Sequence, residues 1–149
     1  GDVFAGLFFG PIAFATTFYL LTLQFDWSIA AIGLIPAGLA VGLLTINNLR
    51  DFQEDSTTGK RTLIVRWGRG FGYIELGLAN IVTGGGIFWM LFICNSQIPI
   101  MTALIPLILG LGIVGLSMKW PVTLYNRLLA IESAWGLMVT LFFCGLCLY

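Results

Sequence analysis

Five apolar stretches, each about 20 residues long, constrain the fold of this 149-residue chain more than any other feature. A helix of that length crosses the hydrocarbon core of a bilayer, which is about 30 Å thick. Lipid offers the backbone no hydrogen bonds, and the alternating pattern of a membrane β-barrel is absent, so the sequence predicts an all-α, multi-pass transmembrane helix bundle. The expected spans lie near residues 3–23, 29–47, 71–94, 99–118 and 128–148.

The composition supports an integral membrane protein. Hydrophobic residues make up 58% of the chain and charged residues only 9%, whereas soluble domains carry about 25% charged residues. The net charge is zero and histidine is absent. A nucleic-acid partner is therefore not expected, and neither an imidazole base nor a zinc-histidine site is available.

The basic residues predict the orientation of the chain in the membrane. All seven lie in two connections, between the second and third spans and between the fourth and fifth. Basic loops face the cytoplasm, so residues 47–70 and 119–127 are expected on that side. A bacterial inner membrane, with its lipid as the surrounding partner, is the expected location.

One polar segment, residues 47–63, interrupts the apolar sequence and holds three of the seven acids and three of the seven bases. Asn47, Asp51 and Asp55 are spaced four residues apart, so a helix would carry all three on one face. Carboxylate and amide oxygens suit Mg²⁺, which is often held by one or two carboxylates plus substrate phosphates. The pattern therefore predicts a magnesium site.

Basic side chains in the same segment suit a phosphate group, since arginine binds phosphate as a fork and lysine as a point charge. These bases are Arg50, Lys60 and Arg61. Two alternatives stay open from the residues alone. The segment could be a solvated cytoplasmic loop, or Asn47, Asp51 and Asp55 could line the cation path of a transporter.

The order of residues 47–63, N-N-L-R-D-x-x-x-D-x-x-x-G-K-R-T-L, resembles the second aspartate-rich motif of the UbiA superfamily of intramembrane prenyltransferases. The NNLRD start and the GKRTL end are most similar to the branch that acts on 1,4-dihydroxy-2-naphthoate in menaquinone biosynthesis. Related members that use 4-hydroxybenzoate, homogentisate or chlorophyllide as acceptor stay open.

The resemblance implies transfer of a polyprenyl group from an allylic prenyl diphosphate to the aromatic acceptor. With 1,4-dihydroxy-2-naphthoate the products would be demethylmenaquinone, diphosphate and carbon dioxide. It also implies roles for the polar segment: Asp51 and Asp55, helped by Asn47, would bind Mg²⁺, and the prenyl diphosphate would be bound by Asn47, Arg50, Lys60 and Arg61.

The resemblance extends along residues 1–149, which match the C-terminal part of a single UbiA-type domain with nine membrane helices, five of them in this chain. The first aspartate-rich motif of that family lies in the N-terminal half. We therefore expect that half of the same protein as a partner, and we expect this segment alone to be inactive.

Other polar residues within the spans receive structural interpretations. Glu75 is expected to meet water or a basic loop, and Glu132 to stabilise the positive N-terminus of the last helix. Asn80 should face other helices. Gly110–Gly115 form a GxGxxG pattern without the strand that a dinucleotide site requires, so they predict helix packing. Cys94, Cys144 and Cys147 are expected to behave as small apolar side chains.

Overall fold

The computed structural model describes residues 1–93 and 100–147, and within those ranges the chain is helical with no β-strand. The predicted all-α class is thereby confirmed. The α-helices run as follows: α1 Asp2–Leu7, α2 Ala13–Thr22, α3 Trp27–Ile32, α4 Leu34–Arg50, α5 Phe52–Thr57, α6 Leu63–Trp67, α7 Arg69–Ile93, α8 Leu104–Lys119 and α9 Tyr125–Cys147.

Three continuous helical segments are long and apolar enough to cross a membrane: Asp2–Thr22, Trp27–Arg50 and Arg69–Ile93. They correspond to the first three predicted spans. The fourth falls on α8, an apolar helix of 16 residues, and the fifth on α9, which has 23 residues. The predicted limits at residues 94, 99 and 148 lie outside the described ranges, as do Cys94 and the side chains of Cys144 and Cys147.

The first segment bends between α1 and α2. A turn of π-helix, Phe8–Ile12, contains Pro11, and Gly10 has φ −111° and ψ −111°. Proline lacks the N–H that a regular helix needs, and π-turns accommodate such breaks. Gly10 also lies against the start of the second segment, because a Cβ placed on it would come 2.5 Å from the Cβ of Ala37 and 2.6 Å from the carbonyl oxygen of Gly33.

Helix α4 is the centre of the bundle, packed against α1, α7 and α9. Two glycines on α4 allow this close approach. A Cβ on Gly38 would meet the Thr83 hydroxyl and the Ala79 carbonyl of α7, and a Cβ on Gly42 would come 2.5 Å from Glu132 Oε1 of α9. The fully buried side chains around them form the core and include Ile46, Leu49, Ile64, Leu76, Ile87 and Leu128.

A buried amide of α7 packs against α8. Asn80 is 1% exposed and its Nδ2 donates to the Leu76 carbonyl at 2.9 Å. Its Oδ1 lies against Gly110, where an added Cβ would leave no room. The expectation that Asn80 faces other helices is confirmed, and so is helix packing at Gly110. The packing prediction is wrong for Gly112 and Gly115, because a Cβ on either would meet nothing within 4 Å among the described residues.

Candidate active site

The polar segment begins where α4 ends. One continuous helix was expected through Asn47, Asp51 and Asp55, but α4 stops at Arg50 and α5 starts at Phe52. Asp51 has φ −89° and ψ 7°, which bends the axis. The hydrogen bonds nevertheless continue, since Asp51 N–H donates to the Asn47 carbonyl at 3.0 Å and Asp55 N–H to the Asp51 carbonyl at 2.8 Å. The hydrogen bonds between residues four positions apart therefore continue from α4 into α5 despite the bend.

Arg50 holds Asp51 through a fork of two hydrogen bonds. Nε donates to Oδ1 at 2.7 Å and Nη2 donates to Oδ2 at 2.9 Å. Both side chains are partly exposed, at 32% and 27%. The hydrogen bonds from Arg50, together with the positive charges of Arg50 and Lys60, lower the pKa of Asp51 against a weaker effect of burial. Asp51 is thus kept as a carboxylate.

Lys60 returns to Asp55 around a glycine turn. Gly59 has φ +77°, a value that favours glycine, and the next residue's N–H donates to the Asp55 carbonyl at 3.1 Å. Lys60 Nζ then donates to Asp55 Oδ1 at 3.1 Å and lies 3.0 Å from Oδ2. The turn thus brings Lys60 back to Asp55. Arg61 is exposed and forms no ion pair with the described residues.

Two residues that the sequence analysis did not assign support this arrangement. Asn126, in the first turn of α9, accepts a hydrogen bond from Arg50 Nη1 at 3.1 Å through its Oδ1. Arg69 Nη2 donates to the Leu49 carbonyl at 3.3 Å, and its guanidinium stands 5.4 Å from the Phe52 ring centre. Arg69 therefore ties the bend between α4 and α5 to the start of α7. In the sequence these residues are recognisable only as polar, and no local pattern indicates that they contact α4.

Asn47 lies one turn deeper than Asp51 and borders a cavity of about 380 Å³. Its side chain is half-buried. Apart from Asn47 the cavity wall is apolar and comes from α1, the π-turn, α4 and α9: Ala5, Phe9, Ala40, Leu43, Leu44 and Leu129. The segment thus presents charged groups at the end of α4, and one turn deeper Asn47 borders this apolar pocket, which is open on one side and which we call the apolar chamber.

The donor set partly fits a divalent cation. Asp55 is 6% exposed, and both of its oxygens lie within 3.1 Å of Lys60 Nζ, so a metal ion would have to share them with that ammonium group. Both Asp51 oxygens likewise accept hydrogen bonds from Arg50. No group of three acidic or thiol side chains with metal-binding geometry occurs in the part of the chain that the structure describes. Two carboxylates would suffice for Mg²⁺ only with phosphate and water ligands.

Two further buried acids differ from the expectations for them. Glu75 was expected to meet water or a basic loop, but it is 8% exposed because it lies on the inner side of α7, near Asp2 and Thr45. Glu132 was expected to stabilise the start of α9. It lies two turns inside that helix, 1% exposed and packed against Gly42, since α9 already begins at Tyr125.

Comparison with curated proteins finds three relatives. This chain is 41% identical over 68 residues to a 1,4-dihydroxy-2-naphthoate octaprenyltransferase of Haemophilus influenzae, a match covering 46% of this chain and 22% of the relative. Proteins of the same name from Mycobacterium tuberculosis and Mycobacterium leprae are 38% and 37% identical over 68 residues, again 46% of this chain and 23% of each relative. These matches confirm that the chain is similar to prenyltransferases that act on 1,4-dihydroxy-2-naphthoate.

The matched part spans less than a quarter of each relative. No protein-family model matches the chain. No solved structure matches it either.

Proposed function

We propose that this chain forms part of the active site of a membrane prenyltransferase that joins a polyprenyl group to 1,4-dihydroxy-2-naphthoate. The observation that carries the proposal is the polar cluster at the end of α4, in which Arg50, Asp51, Asp55 and Lys60 sit above an apolar chamber. The names of the three relatives support the same reaction class and the same acceptor.

The basic side chains would act on the leaving group. Breaking the bond between the allylic carbon and the diphosphate oxygen concentrates negative charge on diphosphate. Cations fixed near that oxygen stabilise the transition state more than the ground state. Arg50 is held in place by Asp51 and Asn126. Lys60 is paired with Asp55 and would bring its charge to a phosphate from that position, whereas the exposed Arg61, which forms no ion pair with the described residues, would turn toward a phosphate from the loop.

Asp51 and Asp55, with Asn47, are the residues that would hold Mg²⁺. The ion would supply charge neutralisation and orientation for the diphosphate. Asp55 would contribute oxygens that it shares with the Lys60 ammonium group, which lies 3.0 Å from Oδ2. Asp51 would contribute through oxygens that it shares with Arg50.

The apolar chamber beside Asn47 suits the reacting end of the prenyl group. Its walls carry apolar side chains of Phe9, Leu44 and Leu129 among others. These walls, together with the rest of the protein, would exclude water and so protect the allylic cation from hydrolysis. The ring carbon of the acceptor then forms the new carbon–carbon bond while carbon dioxide leaves. No oxidant takes part, so the product is demethylmenaquinone in its hydroquinone form.

A longer polypeptide would complete this site. The matched part covers 22–23% of each relative, and the described residues contain no group of three acidic or thiol side chains that could hold a metal ion. We propose that the first aspartate-rich motif comes from the N-terminal half of the same protein. In a bacterial inner membrane, residues 47–70 and 119–127 would face the cytoplasm, where both charged substrates are present.

The test uses membranes that contain the full-length protein. They are incubated with a prenyl diphosphate and 1,4-dihydroxy-2-naphthoate, with Mg²⁺ or with a chelator. We expect prenylated naphthoquinol in the presence of Mg²⁺ and none with the chelator. Product only with 4-hydroxybenzoate, homogentisate or chlorophyllide would overturn the choice of acceptor. Absence of product with every acceptor, together with cation flux into vesicles, would overturn the enzyme in favour of a transporter.

A further inference from the structure

A second cavity lies on the other side of α1 from the apolar chamber. It has a volume of about 550 Å³, within the range of small-molecule sites. Consecutive residues of a helix point about 100° apart. Asn47 accordingly borders the chamber beside α9, whereas Asn48 turns toward Asp2 on α1. We call this second cavity the α1–α7 groove; its walls include Val3, Gly38, Val41, Leu63, Leu78 and Val82.

The α1–α7 groove is apolar along its length and acidic at one end. The two ionisable residues that line it are Asp2 and Glu75, and neither lysine nor arginine is among its lining residues. Asp2 is 5% exposed and its Oδ1 accepts a hydrogen bond from Asn48 Nδ2 at 3.2 Å. Glu75 is 8% exposed, and its buried Oε2 has no hydrogen-bond partner among the described residues. A buried oxygen of this kind needs a donor.

These features select the ligand. Because no lysine or arginine lines the groove, an anion would find no positive partner beside these two acids, which disfavours prenyl diphosphate and the carboxylate of dihydroxynaphthoate. A neutral molecule with a hydroxyl group and a long apolar tail satisfies both ends of the groove. Relying on the proposed function, we infer that the α1–α7 groove binds the prenylated hydroquinone product, with a ring hydroxyl donating to Glu75 Oε2.

The rim of the groove is apolar. Leu78 and Val82 on α7 are 57% and 37% exposed within this chain, and Val3 on α1 is 66% exposed. The polyprenyl tail of a ligand would pack along these side chains while its ring lies between α1 and α7. The groove would thus hold product away from the charged cluster at the end of α4.

The experiment measures equilibrium binding to the full-length protein in lipid nanodiscs, without substrate. The probes are a prenylated naphthohydroquinone, kept reduced, and the corresponding quinone, which has no hydroxyl to donate. We expect the hydroquinone to bind at least about tenfold more tightly, a difference of about one good hydrogen bond. Glu75→Leu should abolish this preference, and Glu75→Gln, which keeps an acceptor oxygen, should retain most of it.

A matched pair on α7 tests the location. Leu78→Trp fills the groove and should weaken hydroquinone binding at least tenfold. Ile74→Trp, one turn away, is equally exposed at 60% and does not line the groove, so binding should stay unchanged. Equal affinity for hydroquinone and quinone, or no effect of Leu78→Trp, would overturn the proposal. Displacement of the hydroquinone by phosphatidylethanolamine at matched concentration would assign the groove to an ammonium lipid instead.

Binding and turnover separate this inference from the proposed function. Loss of the hydroquinone preference with normal turnover would refute the groove site alone. Absence of turnover with every acceptor would refute the proposed reaction, and in that case intact binding would still support a hydroquinone site.

Discussion

Two pairs of acids border the same end of α4 and have opposite surroundings. Asp51 and Asp55 each contact a base, Arg50 at 2.7 Å and Lys60 at 3.0 Å. Asp2 and Glu75 are both buried, and the groove they line contains no base. The first pair lies in a charged environment that suits a metal and a phosphate, while the second suits only neutral or cationic donors. Both sites contain two acidic residues, and the presence or absence of neighbouring bases is what distinguishes them.

The strongest test of this contrast removes a charge from the paired site. Asp55→Asn should lower prenyl transfer by the full-length protein by at least about 100-fold, the usual cost of losing a group that stabilises transition-state charge. Prenyl transfer is measured as naphthoquinol formed per minute. Glu54→Gln is the matched control, because Glu54 is an exposed neighbour on α5. Equal losses in the two variants would show that general surface charge, rather than Asp55, matters.

The second test introduces a side chain between α4 and α7, where the two helices are in close contact. A Cβ on Gly38 would collide with the Thr83 hydroxyl and the Ala79 carbonyl, so Gly38→Ala should lower the free energy of unfolding by about 1–3 kcal/mol. Gly85→Ala on α7 meets nothing within 4 Å and should leave it unchanged or higher. Thermal unfolding in detergent gives both values. Because Gly38 lines the groove, hydroquinone binding should weaken as well.

The third test asks whether the site needs the forked guanidinium of Arg50 or only its positive charge. Arg50 donates through a fork to Asp51 and through Nη1 to Asn126, a geometry that lysine cannot reproduce. Arg50→Lys should therefore raise the KM for prenyl diphosphate about tenfold. Arg66→Lys, at an exposed position on α6, serves as control. A KM unchanged by Arg50→Lys would mean that only the charge is needed there.

The smallest expected effect comes from Asn126, which only positions Arg50. Asn126→Ala should raise the KM for prenyl diphosphate by a factor of about five, corresponding to one hydrogen bond of about 1 kcal/mol. Asn126→Asp should keep the wild-type KM, since its side chain retains an oxygen that accepts the hydrogen bond from Arg50. A fall in kcat without a change in KM would contradict a positioning role.

Sequence periodicity was enough to predict the helical class, because apolar runs of membrane length leave the backbone few alternatives. The candidate site residues were chosen from spacing and side-chain chemistry, and their roles stay predictions. The break at Asp51 was not predicted, since the Arg50 fork and the Arg69 contact to Leu49 depend on tertiary neighbours. Glu75 and Glu132 were misplaced for a related reason. The position of a residue along a helix can be counted from the sequence. Which helix packs against each of its faces cannot be read from the sequence in the same way.

The pairing of Asp2 with Asn48 joins residues 46 positions apart and leaves no local sequence signal. Asn126 and Arg50 are separated by 76 positions. Each of these contacts depends on how α1, α4 and α9 approach one another, and the glycines that permit such approach carry no information about which polar groups will meet.

The most direct test of the central claim measures binding of a non-hydrolysable prenyl diphosphate analogue to the full-length protein, with Mg²⁺ or with chelator. We expect tight binding that requires Mg²⁺, is lost in Asp55→Asn and is retained in Glu54→Gln. Binding of equal strength with chelator, or in Asp55→Asn, would contradict the assignment of the α4–α5 cluster as the metal and diphosphate site.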